Sequence, residues 1–358
     1  MLPYILVTAP VAVMAVVSPL HRRYPLIWGS VFLILLVFIG LRHHVGMDWN
    51  NYLWMIRYAN DGSFIDAFAY AEPGYAILLW IFGQAGLGIY GVYLGGTAIF
   101  LAGLFRYCKT TPSPWIALLV AMPFLVIVIS MSAARQTVAI GVMLWLFAEW
   151  PDASLRKRLA FILLATSFHI SAAGFLVFMV LDFRIPAWLK ILAVAFFGGV
   201  IVYILNVSGQ AEYYDSVYGS GQTRTTQSAG AVVHVLLNAG PAIMCFLLGK
   251  RSRSILIPER FQVQMAILAI ILLGISLVAS TAASRMSLYV FPVSIRFFSV
   301  LPLLLRDSNS RITLKACLGV FFLSFLVAWL SAGNSAVGHA HYRNALFVPY
   351  YELELCCQ

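Results

Sequence analysis

The sequence predicts an all-α, polytopic transmembrane helix bundle of about 10–12 membrane segments, some of them re-entrant or broken. Three observations carry that expectation. Hydrophobic residues make up 62% of the 358 and charged residues only 10%, with a mean hydropathy of +0.90. The apolar runs, such as 28–41 and 261–279, are continuous, without the period-2 alternation of a barrel strand. Basic residues collect in short loops between the runs, where membrane proteins use them to fix orientation.

In chain order, residues 2–20 form an apolar run with no basic stretch before it and basic residues after it. That arrangement reads as a retained first helix rather than a cleaved signal. The loops His21-Arg22-Arg23, Arg156-Lys157-Arg158, Lys250-Arg251-Ser252-Arg253 with Arg260, and 306–315, with a weaker pair at Arg106 and Lys109, are all assigned to the cytoplasm. An even number of crossings must then separate each pair of loops. Residues 115–131 and 133–150 satisfy this as a hairpin with Arg135 at its outer turn, and 261–280 with 287–305 as another, with Arg285 at the turn. Two intervals hold three apolar pieces each, 24–41, 73–85 and 87–105, and 159–181, 187–205 and 230–249. One piece in each therefore does not cross. Residues 73–85 are too short for the ~20-residue span and become interfacial or re-entrant. Residues 159–181 are interrupted by Ser167-Phe168-His169-Ile170-Ser171 and fold as a half-helix pair with His169 at the tip, irregular backbone being tolerated where it lines a cavity.

This count places the segment 42–72, Arg135, the loop 206–229, Arg285 and the tail 331–358 on one outer face of a single integral membrane domain, 1–358. The net charge of +10 is accounted for by orientation, so no nucleic-acid partner is expected. The five cysteines show neither metal nor disulfide spacing. No cofactor is expected. The densest polar cluster is Arg42-His43-His44-Val45-Gly46-Met47-Asp48-Trp49-Asn50-Asn51-Tyr52, and charge at a bilayer boundary marks a site by default.

Five motifs stand in order: Arg42-x-x-x-Gly46-x-Asp48-x-x-x-Tyr52, Glu72-Pro73-Gly74-Tyr75, Ala134-Arg135-Gln136, Phe168-His169-Ile170-Ser171-Ala172, and Tyr342-Arg343-Asn344-x-Leu346-Phe347-x-Pro349-Tyr350. Together they resemble the EpsG-like branch of Wzy-type polysaccharide polymerases, over most of the chain. His43-His44 and Trp49 depart from that pattern. The resemblance implies a multi-pass glycosyltransferase-type enzyme of the bacterial inner (plasma) membrane. Such an enzyme joins undecaprenyl-pyrophosphate-linked oligosaccharide repeat units into exopolysaccharide or O-antigen at the outer face, with membrane lipid and other polysaccharide-export components as partners.

Such chemistry requires a held pyrophosphate, an oriented and deprotonated sugar hydroxyl, and exclusion of water. Arginine suits pyrophosphate because its planar fork matches phosphate oxygens and keeps its charge. Arg135, Arg285, Arg42 and Arg343 are the candidates, with Arg135 foremost because it stands alone at the end of an apolar hairpin; the competing reading is a snorkelling boundary residue. His169 is the candidate base, since imidazole accepts a proton near neutrality, against the alternative of a hydrogen-bonded structural histidine. Asp48 is the other candidate base, or a partner for an arginine. Glu72, Tyr52, Tyr75, Tyr342 and Arg343 are candidate substrate contacts, and Tyr213, Tyr214 and Tyr218 extend that list, although aromatic belts occur at every membrane interface. No His/Asp spacing demands a metal. A ligase using a similar lipid donor, and a polar-lipid transporter, remain alternatives. A transporter should show matching halves with paired interrupted helices, and the chain shows two irregular segments without matching halves.

Overall fold

The computed structural model describes residues 1–183, 231–349 and 352–353, with scattered positions between 185 and 199. Among these the chain is helical apart from turns and one isolated bridge. The loop 206–229 with its three tyrosines lies outside the described residues, as does most of 187–205. Among the described residues, three helices are long and apolar enough to cross a bilayer, up to five if each of two bent pairs is one span, and four shorter helices are apolar as well. The chain is a polytopic helical membrane protein.

The described chain divides into two compact units, Met1–Ala148 with Ser167–Ile170 and Phe298–Gln358, and Glu149–Thr166 with Ser171–Phe297. In the first unit, α1 (Leu2–Val17), α2 (Pro25–Gly40) and α4 (Pro73–Gln84) each carry a proline at the first or second position, where the missing N–H has no intrahelical partner to lose. Between α2 and α4 lie the polar helix α3 (Trp49–Asp61) and a short 3-10 turn, Asp66–Ala69. At 12 residues, α4 is only ~18 Å long, too short for a ~30 Å hydrocarbon core, as the span count requires. The helix α5 (Gly88–Lys109) is long enough to cross and ends on Arg106 and Lys109.

The next helix, α6 (Pro114–Ser132), opens on a proline too, but its second half, Met122–Ile129, is wound as a π-helix. Pro123 is the physical reason. It lacks an N–H and its ring collides with the carbonyl four residues back, and a wider turn accommodates both. The chain breaks at Ala133 and resumes as α7 (Ala134–Glu149). The crossing of α5 with α7 is possible only because both carry glycine: a Cβ on Gly103 would lie 1.8 Å from the Gly141 carbonyl oxygen. Small residues let helices approach closely where lipid removes the hydrophobic drive to associate. The first unit is completed by α1 packing on α6 and on the long last helix, Ser308–Ala332, by α2 and α4 packing on α5, and by α3 on α4.

The second unit contains most of α8 (Leu155–Phe168) and all of α9 (Leu176–Asp182), which are separated by a 3-10 stretch, Ile170–Phe175. Arg158 Nη1 donates to Asp182 Oδ2 at 2.7 Å. Twenty-four residues of straight helix would hold those ends ~36 Å apart. The segment therefore folds back on itself, and its turn falls at His169. Its tip, Ser167–Ile170, groups with the first unit and its legs with the second. Further on, α10 (Ala231–Leu247) packs on α12 (Arg260–Ile275) and α13 (Ser280–Ser287), after the basic α11 (Gly249–Leu256). Buried Asn238 is satisfied there, donating to the Ser287 carbonyl at 2.8 Å and accepting from Ser294 at 2.7 Å. Arg285 was expected at an outer turn; it lies instead within α13, half-buried. The breaks fall on either side, at 276–279 and at Pro292, which opens α14 (Pro292–Val300). The capped helix α15 (Ser308–Ala332) closes the chain's apolar part, its first turn held by Asp307 accepting from the N–H groups of Asn309 and Ser310.

Candidate functional site

The polar loop that follows α2 is built jointly by its own glycines and by the tail. Arg42 forms an antiparallel bridge with Asn344. The His43 N–H donates to the Arg343 carbonyl at 3.0 Å, and the Ala345 N–H donates to the Leu41 carbonyl at 2.7 Å. Gly46 donates to the Gly338 carbonyl at 2.7 Å and sits at φ +104°, where an added Cβ would lie 1.8 Å from the Met131 carbonyl oxygen. Glycine is the only residue that fits both the torsion and the space. The loop is thus pressed between the end of α6 and the tail.

Arg42 was a candidate phosphate ligand, and the structure engages it otherwise. Its side chain is 1% exposed. Nε donates to the Val45 carbonyl at 3.2 Å, Nη1 to the Ile39 carbonyl at 2.8 Å, and the guanidinium lies 3.6 Å from the centroid of the Tyr93 ring. Burial lowers its pKa, yet arginine keeps its proton in proteins, and the aromatic face offsets part of the desolvation. Its Nη2, the Tyr75 hydroxyl and the Tyr93 hydroxyl have no partner among the described residues, and all three residues line a cavity of about 10 Å³. That is room for roughly one water. Arg42 is a buried fixed charge, not an open one.

Arg135 is more accessible than Arg42. It stands at the start of α7, 29% exposed, and Nη1 donates to Glu72 Oε2 at 2.7 Å. The sequence suggested that Arg135 stands alone; it is paired, because the start of α4 brings Glu72 to the start of α7. The Arg135 backbone N–H, one of the unfilled donors of a helix N-terminus, donates to the Tyr52 hydroxyl at 3.3 Å. The Tyr52 ring lies 5.7 Å from Tyr75 and 5.9 Å from Tyr93. Arg135, Glu72, Tyr52, Tyr75, Tyr93 and Arg42 therefore form one continuous constellation in the first unit.

The tip that carries His169 docks onto the same helix start. A Cβ on Gly74 would lie 2.5 Å from Ser167 Oγ and 3.0 Å from the Ser167 carbonyl oxygen. The glycine of Glu72-Pro73-Gly74-Tyr75 is thus a contact surface for the histidine-bearing turn, two residues from Glu72. His169 is buried. Gly74→Ala is expected to cost about 1–3 kcal/mol through overpacking and to lower activity by displacing the tip. Pairing it with Ser167→Ala should restore part of both, as read by thermal unfolding in detergent and by glycan synthesis. Equal effects with and without Ser167→Ala would show that the hydroxyl is not the obstacle.

Other expected residues sit elsewhere. Asp48 is exposed before the first turn of α3. The Tyr342 hydroxyl donates to the Phe38 carbonyl at 2.7 Å and its ring stacks on Phe38 at 4.2 Å. Arg343 Nη2 donates to Glu352 Oε2 at 2.6 Å. Arg285 belongs to the second unit. No group of three His, Cys, Asp or Glu side chains among the described residues is arranged to hold a metal.

The sequence pointed to His43 only as an oddity, and to Glu352 and Tyr90 not at all. His43 Nδ1 lies 2.5 Å from the Tyr90 hydroxyl, and Nε2 lies 3.5 Å from Glu352 Oε2. Burial, reinforced by His44 and Arg343, pushes the imidazole down to about 4, so it is neutral at pH 7. The hydrogen bond from Arg343 holds the Glu352 carboxyl below its usual range. An ionised carboxylate beside Nε2 assigns the ring proton to that nitrogen and leaves Nδ1 to accept from Tyr90. The one hint in the sequence was density: two histidines directly after the arginine of an apolar run's end.

A family model described as the EpsG family matches residues 26–351. No curated protein and no solved structure matches the chain.

Proposed function

From the premise that the chain belongs to the EpsG family, we propose that it polymerises oligosaccharide repeat units carried on undecaprenyl pyrophosphate, by glycosyl transfer at the outer face of a bacterial inner membrane. The observation that carries this reading is the Arg135–Glu72 pair beside the docked tip of His169. The cation is partly exposed and fixed by a buried carboxylate, as a clamp on a departing pyrophosphate requires. Its fork can bind phosphate oxygens and Glu72 together, because a guanidinium carries five donors.

In the reaction proposed, a hydroxyl of the incoming lipid-linked repeat attacks the anomeric carbon of the donor sugar. The carbon–oxygen bond to pyrophosphate breaks, its electron pair leaving with the lipid pyrophosphate, whose charge Arg135 offsets. The hydroxyl proton passes to His169. Direct displacement inverts the anomeric centre, and the positive charge comes from arginine rather than from a metal. Tyr52, whose hydroxyl accepts from the Arg135 N–H, and Tyr75 back the clamp from its buried side, and Asp48 remains the alternative base.

The test uses purified protein in nanodiscs with lipid-linked repeat units, followed by gel analysis of the glycans. Wild type should give a ladder. His169→Ala should slow it by about 10²–10⁴-fold, the ordinary contribution of a positioned acid–base group. A ladder of wild-type intensity from His169→Ala would remove the histidine from the chemistry. Movement of the lipid across vesicles without any ladder would favour a transporter.

A further inference from the structure

The tail does more than close the polar loop: it roofs an apolar groove. The side chains of Leu6, Leu33, Ile34, Val37, Phe38 and Phe347 line a cavity of about 780 Å³ along α1 and α2, within the ~300–1,000 Å³ of sites that hold small molecules. The groove is polar at one place, where Arg343 and Asn344 border it. Arg343 is 43% exposed and clasps the carboxylate of Glu352, itself 28% exposed. The same carboxylate lies 3.5 Å from His43 Nε2. That nitrogen is buried and has no hydrogen-bond partner among the described residues, so a ring N–H aims at an anion it does not fully reach. The guanidinium that borders the trough and the buried imidazole N–H thus share a single carboxylate.

We propose that Arg343 and His43 form the phosphate seat of a lipid site, that the groove between α1 and α2 holds the lipid's polyprenyl chain, and that Glu352 occupies the seat until the phosphate displaces it. The choice of a polyprenyl phosphate rests on the polymerase reading above; the anion-plus-chain chemistry rests on the groove and its charged end. A carboxylate is a natural placeholder, since Arg binds carboxylate and phosphate with the same fork. The seat adjoins the constellation of Arg42 and Arg135 through the main chain, because the His43 N–H is bonded to the Arg343 carbonyl. A polymerising reaction brings together two lipid-linked glycans, and this seat is separate from the Arg135–Glu72 clamp.

The experiment is photo-crosslinking of a benzophenone-tagged polyprenyl phosphate to the full-length protein in nanodiscs of phosphatidylcholine. Labelled peptides should map to α1, α2 and 342–348. Unlabelled polyprenyl phosphate should compete, whereas the corresponding polyprenol and phosphatidylglycerol should not. Arg343→Gln should reduce labelling tenfold or more, and Leu33→Trp should reduce it comparably by filling the trough. Glu352→Gln should raise apparent affinity about threefold or more, a gain that a folding fault does not produce. Equal competition by phosphatidylglycerol would make the groove an ordinary bilayer-facing surface and overturn the proposal. So would labelling unchanged in Arg343→Gln and Leu33→Trp, or unchanged affinity in Glu352→Gln. Labelling as expected without glycan synthesis would remove the polymerase reading alone; glycan synthesis with labelling insensitive to the variants would remove the lipid seat alone.

Discussion

Arg135→Ala is expected to lower glycan polymerisation by about 10²–10³-fold, the usual cost of removing one preorganised group that stabilises transition-state charge. The residue combines features that the other arginines divide among themselves. Arg42 is wholly buried and held by carbonyls and an aromatic face. Arg343 is exposed but sits on the tail beside Glu352. Arg135 is accessible, held by a buried carboxylate and seated at a helix start whose own N–H is directed to Tyr52. Arg135→Lys should recover little, because an ammonium cannot span Glu72 and two phosphate oxygens in one plane. Glu72→Gln should cost less than Arg135→Ala, since it loosens the fork without removing the charge. Initial rates from the nanodisc assay decide this, with thermal unfolding as a check on folding. An Arg135→Ala rate within a few-fold of wild type would end its assignment as the clamp.

Gly46→Ala is expected to destabilise the protein by about 2–6 kcal/mol, adding a strained positive-φ torsion to a clash in a packed site. The magnitude follows from where the Cβ would go: 1.8 Å from a backbone oxygen of Met131, an atom that cannot swing aside as a flexible side chain would. Relief requires the loop to leave α6, and with it the bonds from Gly46 to Gly338 and from His43 to Arg343. Loss of activity should therefore accompany loss of stability. Denaturation in mixed micelles is the measurement. A shift below about 1 kcal/mol, within the ordinary range of point variants, would mean that the loop has slack the structure does not show.

Much of the architecture was legible because each cue is local. The continuous apolar runs fixed the helical class, and 73–85 was too short to cross on length alone. The turn at His169 followed from crossing parity and from the polar run that interrupts an apolar segment. The pairings that make the site were not legible, for a physical reason. Glu72 and Arg135 are 63 residues apart, and nothing in either flank encodes the approach of two helix starts. Arg42 looked open because it ends an apolar run; only the packing of Tyr93 over it shows a buried cation. Arg285 looked like a turn residue because the apolar run is interrupted around it, whereas the backbone stays helical through that interruption. The role of Glu352 depends on a tail that meets the loop across some 300 positions, beyond the reach of any periodicity.

That last contact also sets a clock. The bridge from Arg42 to Asn344 cannot form until the ribosome has added about 300 further residues, which at ~5–20 residues per second takes about 15–60 s. Throughout that interval the arginine that the folded protein buries lacks its final cover. The loop that carries Arg42 is thus among the earliest parts of the first unit to be synthesised and among the last to be completed.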